Sequence, residues 1–211
     1  MKSLSLHRPL LIFVIGAPGA GKSFFANQFA DMFGAPIVSY DKLHHRLFTQ
    51  PTYGHDESVI VMDVLKQQIE QLARTRKVFL VDGGVSARSQ RFEIEKICKP
   101  YGYDSMIVWV QTDEMTAKKR ATSRSNRRKG DENNDSITFE LFDSLAAKVT
   151  APGPSESAVV ISGRHTFASQ AKSVLRRLVS PRETGLAKPT ERTPAPASST
   201  EKSNRRNIVL S

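Results

Sequence analysis

The chain has 211 residues, 39% of them hydrophobic and 25% charged, which suits a single soluble globular core with some polar sequence outside it. Its net charge of +10 and isoelectric point near 9.9 ask for polyanionic company, either nucleic acid or the polyphosphate of a nucleotide. A lone cysteine, Cys98, excludes an intramolecular disulfide and a cysteine-based zinc site, and fits a reducing compartment.

Lys2 and Arg8 ahead of an apolar run imitate a secretion signal, but Leu10–Ile15 is shorter than an h-region of roughly 7–15 residues. It also flows directly into a glycine-rich turn, so it reads as a buried strand. A helix follows to Phe33, with Phe25, Phe29 and Phe33 on one face and Gly34 as the stop. A second strand, from Pro36 to Tyr40, ends at Asp41, and "DKLHHRLF" is helical until Pro51 breaks it. Ile60, Val64, Leu65, Ile69 and Leu72 mark a long helix over about 56–75, and "KVFLVD" is a third strand closing on Asp82, Gly83 and Gly84. After a helix over about 86–98 comes "SMIVWV", a fourth strand, then the Lys- and Arg-dense helix "DEMTAKKRATSRSNRRKG" and the acidic turn "DENND". Phe139, Phe142 and Leu145 mark a helix over about 136–149, "SAVVIS" a fifth strand and "TFASQAKSVLRRLV" a closing helix. Strands alternating with helices imply a parallel sheet covered on both faces, a three-layer α/β fold. From Pro181 the composition turns to Pro, Ser, Thr, Lys and Arg, too poor in apolar residues to offset ordering entropy. The expected organisation is therefore a domain over 1–180 and a disordered basic tail over 181–211. No segment reaches the ~20 apolar residues that span a bilayer, so no membrane contact and a cytoplasmic location are expected.

Gly16 to Ser23 match G-x-x-x-x-G-K-[ST], the pattern of a loop that wraps nucleotide phosphates. The apolar strand before it and the amphipathic helix after it are the context this pattern requires. Gly16, Ala17, Pro18, Gly19, Ala20 and Gly21 would turn backbone N–H groups inward, with the helix N-terminus at Lys22, Ser23 and Phe24 aimed at the phosphates. Lys22 would bridge the β- and γ-phosphates of ATP, and the Ser23 hydroxyl would ligate Mg²⁺.

Asp82 follows four apolar residues, the arrangement in which a strand-end carboxylate meets Mg²⁺; the plainer alternative is a helix cap. Gly83 and Gly84 would let a substrate approach the backbone, or serve an ordinary turn. Asp41, at the end of the second strand, is placed to accept the proton of an acceptor hydroxyl, or to cap the next helix. Arg46, about a turn and a half further on, could hold an anionic substrate or be a solvated helix-face residue. His44 and His45 are adjacent, point to different faces and receive no role. Lys118 to Lys129 is a basic run without an acid, read as a lid (about 118–135) that brings Arg120 and Arg124, one turn apart, onto the transferring phosphoryl group. A nucleic-acid patch on the lid or the tail is the competing reading.

Taken together, "GAPGAGKS", the Asp of "VSYDKLHHR", "VFLVDGG" with Arg91 downstream and the arginine-rich segment after the fourth strand resemble the P-loop kinase group of zeta-toxin-like and polynucleotide 5′-kinase-like proteins. The resemblance covers about residues 9–180. It implies a five-stranded sheet of order 2-3-1-4-5 with a short helical lid, ATP and Mg²⁺ as cofactors, Asp41 as base, Arg120 and Arg124 as lid arginines, and Arg91 on the substrate side. Gly83 departs from the Thr or Asn common in that group, and "VDGGVSARSQ" is faintly similar to adenylate kinases, so the acceptor stays open. Two functions remain: a kinase acting on a small-molecule or nucleic-acid hydroxyl, and a P-loop ATPase or nucleotide-binding module with no dedicated acceptor. No [NT]-K-x-D guanine-reading motif and no LSGGQ-like signature occur in the chain.

Overall fold

The structure, a computed structural model, describes residues 7–49, 51–123 and 136–179. Its centre is β1 (Leu10–Ile15), six apolar residues that are all buried. Because successive side chains of a strand point to opposite faces, this one run supplies two cores. Leu11, Phe13 and Ile15 join the layer built by Val61, Leu65, Ile69, Ile94 and Cys98. Leu10, Ile12 and Val14 join the opposite layer, with Phe25, Ala26, Phe29 and Val174. A strand buried on both faces has no polar side to show, which is why the segment reads as an uninterrupted apolar run.

The other strands are β2 (Ile37–Ser39), β3 (Phe79–Asp82), β4 (Asp104–Gln111) and β5 (Ala158–Ser162), and all pairings are parallel in the order β2-β3-β1-β4-β5. The expected 2-3-1-4-5 sheet is therefore the observed one. The register sets Val14 beside Asp82 and Asp82 beside Ser39, so three strands end at nearly one level. Helices α1 (Lys22–Phe33), α2 (Tyr40–Leu47), α3 (His55–Arg74), α4 (Arg88–Cys98), α5 (Glu114–Thr122), α6 (Phe139–Ala147) and α7 (Phe167–Val179) complete the layers. In α1 the Phe stripe is a run of tilted ring contacts, with centroids 5.3 Å apart for Phe25–Phe29 and 4.7 Å for Phe29–Phe33. Gly34 ends the helix in the left-handed region at φ 63°.

Several boundaries differ from the sequence expectation for local reasons. β2 stops at Ser39 because its side chain caps α2, accepting from the Lys42 amide at 3.4 Å. β3 starts at Phe79, since Arg76 turns the chain at φ 54° and the Lys77 carbonyl is taken by the Tyr103 hydroxyl at 2.6 Å. Phe142 is buried, whereas Phe139 is 58% exposed beneath the Lys118 ammonium. Of the basic lid segment, α5 ends at Thr122, and residues 124–135 lie outside the described residues, as does the tail from 180 onward. Among the described residues no helix is long and apolar enough to cross a membrane.

Candidate active site

The loop Gly16–Gly21 connects the central strand to α1, whose first N–H groups receive no side-chain cap. Uncapped amides at a helix start carry partial positive charge and favour an anion. Gly19, at φ 73°, shows why the loop needs glycine: a Cβ there would collide with the Ala117 carbonyl of α5. Helix α5 thus lies directly on the loop, with Ala117 and Ala121 buried against Phe142, Ala17 and Ile137. The Lys22 ammonium folds back to donate to the Ala17 carbonyl at 2.9 Å, which keeps its charge against the loop. Phe24 contributes backbone to the first turn while its ring is 52% exposed.

Asp82 closes the floor. It is buried and lies within reach of the Ser23 hydroxyl and of the charges of Lys22, Asp41 and Lys42. Burial raises its carboxyl above the usual range, and Asp41 adds to this, while Lys22 and the Ser23 hydroxyl pull it down. Its Oδ1 is buried without a hydrogen-bond partner. A hydroxyl and an under-coordinated carboxylate oxygen, side by side beneath a phosphate loop, are the hard oxygen donors that suit Mg²⁺. The residues present fit that ion.

Asp41 is not the strand end expected from sequence, nor the cap. Ser39 holds the cap position, and Asp41 occupies the first turn of α2. Its carbonyl accepts from His45 Nδ1 at 2.9 Å, and its charge acts on both Asp82 and Tyr40. Four expected participants, Lys22, Ser23, Asp41 and Asp82, are therefore brought together. Others are not. Arg46 is exposed on the far turn of α2. Arg120 is exposed and donates from Nη1 to the Gly163 carbonyl at 3.3 Å, beside the phosphate loop, and Arg124 lies outside the described residues. Arg91 corrects the sequence reading most plainly: it is fully buried, donating to Glu156 at 2.8 and 3.2 Å and to the Val85 and Ser86 carbonyls at 3.3 and 2.9 Å. A guanidinium so committed builds the frame and is out of reach of a substrate. The Gly83–Gly84 pair is corrected too. A Cβ on Gly84 would sit 2.6 Å from Tyr40 Cδ2, so the space belongs to the Tyr40 ring.

Sequence reading misses what joins distant segments. Thr112 Oγ1 donates to the Ala20 carbonyl at 3.0 Å, and the Gly163 amide donates to Gln111 at 2.8 Å, so the ends of β4 and β5 brace the loop. The short polar endings "QTD" and "SGR" are the only signal of this in the chain. His44, given no role, is completely buried and bonded through Nε2 to Glu57 Oε2 at 2.9 Å.

A parallel 2-3-1-4-5 sheet with this loop after its central strand is the P-loop nucleoside-triphosphate fold in its kinase-like form. The chain belongs to an AAA domain family, whose model matches residues 11–152. No curated protein sequence matches it. Among solved structures it is similar to a sugar kinase from Janibacter sp. (TM-score 0.61, 16% identity, 81% of this chain and 94% of that one). It is also similar to Kti12 from Chaetomium thermophilum, solved with ADP-AlF3 (TM-score 0.61, 12% identity, 81% of this chain and 100% of that one). A third is the APS kinase CysC from Mycobacterium tuberculosis, solved with AMPPNP and APS (TM-score 0.57, 16% identity, 82% of this chain and 99% of that one).

Proposed function

We propose that this chain is a cytoplasmic, ATP-dependent phosphotransferase that moves the γ-phosphate of ATP to an acceptor hydroxyl. The observation that carries the reading is Asp82 with its unpartnered Oδ1, beside the Ser23 hydroxyl and the Lys22 charge, with Asp41 near it in the first turn of α2. Loop amides and Lys22 hold the polyphosphate and balance charge that spreads over the transferring group. Mg²⁺, held by Ser23 and Asp82, would neutralise phosphate charge when bound. Asp41, on the acceptor side, takes the proton of the attacking hydroxyl. Arg120 and Arg124 are assigned to the developing charge, with Arg120 swinging from Gly163 when nucleotide arrives. Arg46 is left as a substrate contact for an anionic acceptor. The likeness to structures named as kinases supports this reading. A second reading, ATP turnover with no dedicated acceptor, gains from Arg91, because the residue expected to reach the acceptor is inaccessible.

The test is turnover of labelled ATP with and without pools of nucleosides, sugars and 5′-hydroxyl oligonucleotides. Acceptor-stimulated turnover is expected; turnover indifferent to every pool selects the second reading. Lys22→Ala should abolish nucleotide use in a folded protein. Asp82→Asn should weaken all Mg²⁺-dependent use, whereas Asp41→Asn should lower transfer ~10²–10⁴-fold with nucleotide affinity kept.

A further inference from the structure

Within one helical turn of Asp41, α2 buries a histidine in an arrangement the packing of two helices does not itself require. His44 is 0% exposed and ringed edge-on by Tyr40, Phe48 and Tyr53, with centroids at 5.8, 5.5 and 4.7 Å. Its Nε2 donates to Glu57 Oε2, which leaves Nδ1 buried among aromatic rings without a hydrogen-bond partner. The same Glu57 oxygen also accepts from the Thr52 and Tyr53 amides at 2.9 and 3.0 Å. Tyr53 is held there in the left-handed region at φ 57°, which a bulky side chain adopts only under constraint. A sequestered acceptor, a converging carboxylate and a strained backbone residue thus sit at one corner between α2 and α3. Such features persist where the surroundings over-determine them, and they cluster at functional sites.

The placement of the corner gives it a use. α2 leaves the sheet at Ser39, in register with Asp82, so a rotation of α2 moves Asp41 relative to the phosphate loop. Asp41 itself lies in the first turn, one turn before His44, whose bond to Glu57 ties α2 to the start of α3. We infer that His44 and Glu57 are positioning residues that hold Asp41 at the mouth of the phosphate site. This rests on the reading of Asp41 as the base, and it adds residues that neither the phosphate-loop motif nor the lid contains. Tyr40 works with them: its ring covers Gly83–Gly84, which fixes the inner side of the same helix against the end of β3. A displacement of about 1 Å at a reacting group can cost on the order of 10² in rate, so a latch one turn away is enough to control transfer.

The experiment uses the full chain with Mg·ATP and whichever of the nucleoside, sugar and 5′-hydroxyl oligonucleotide pools stimulates turnover, or water where none does, and measures ATP turnover together with mant-ADP affinity. His44→Phe keeps the aromatic packing and loses the hydrogen bond; Glu57→Ala removes the acceptor from the other side. Both should lower kcat about 10–100-fold with mant-ADP affinity unchanged. His44→Gln, which restores an N–H near the Nε2 position, should recover most of the rate. Combining His44→Phe with Asp41→Asn should add nothing to Asp41→Asn alone, since both remove one function. Wild-type rates in folded His44→Phe and Glu57→Ala, beside a slow Asp41→Asn, overturn the inference and leave the phosphotransferase reading standing. Additive losses in the double variant, or mant-ADP affinity falling in step with rate, assign the pair a structural role and also overturn it, as does failure of both variants to fold. A wild type inert with water and with every acceptor pool overturns the inference and the reading together.

Discussion

Arg91 and Glu156 lie 65 positions apart, yet they form a bidentate ion pair with the arginine wholly buried and the carboxylate 10% exposed. Through it the start of α4 is tied to the connection between α6 and β5. Removing one partner of a buried pair leaves the other charge uncompensated, so Arg91→Ala should cost about 3–5 kcal/mol in urea unfolding. Arg91→Met should cost less when combined with Glu156→Gln than alone. The pH dependence has a definite sign. Burial raises the Glu156 carboxyl, but the hydrogen bonds from Arg91 and the Gly153 amide, with the charges of Arg91 and Arg88, hold it below the usual range. A depressed carboxylate contributes stability above its unfolded pKa and loses it as pH falls through its folded value. The Tm gap between wild type and Arg91→Met should therefore be full at neutral pH and close as pH drops below about 4. A gap that widens in acid would contradict the pairing. Cys98 offers no comparable handle: burial pushes its thiol up to about 12, so it stays protonated and inert.

Turns and helices carry their own test at Gly84. It sits at φ 69° with the Tyr40 ring where a Cβ would be. Gly84→Ala should lower stability by about 1–3 kcal/mol, and combination with Tyr40→Ala should recover part of that loss in thermal melts. This corner also shows where legibility ends. "LLIFVI" and the Phe25–Phe29–Phe33 stripe announce a central strand and its helix, because burial on both faces or on one stripe leaves a local pattern. The loop Gly16–Gly21 between strand and helix is legible for the same reason: its glycines are contiguous with both. Asp82 is legible as a strand end. By contrast, His44–Glu57, Arg120–Gly163 and Arg91–Glu156 join residues 13, 43 and 65 positions apart, and a partner chosen by the tertiary fold leaves no trace in spacing. From the sequence, Arg91 therefore reads as a free cation, Gly84 as open space and His44 as idle.

The charge of +10 belongs to the chain as a whole, and its distribution can be apportioned. Lys22 and the arginines of the lid serve the nucleotide in the proposed reading, whereas the basic residues past Pro181 have no place in that chemistry. Truncation after Val179 should leave ATP turnover intact while lowering retention on nucleic acid at low salt, read by filter binding across a salt series. For every phosphate that the shortened chain no longer neutralises, the slope of log K against log salt should become shallower by about 0.7–0.9. Loss of turnover on truncation, with oligonucleotide binding that survives high salt in the full chain, would instead make the tail part of acceptor recognition.

The braces on the phosphate loop set a timetable for the ribosome. The binding sequence is complete by Ser23, but Gly16 rests on the Val110 carbonyl, Gly19 on Ala117, and the Ala20 carbonyl on Thr112 and the Gly163 backbone. The central strand itself lacks both neighbours until Phe79–Asp82 and Asp104–Gln111 have emerged. Parallel pairings over such separations form late, so the proposed nucleotide pocket, encoded almost first, is assembled almost last. Nascent chains stalled before Gly163 should fail to retain ATP, and those released past α7 should acquire it in a single step.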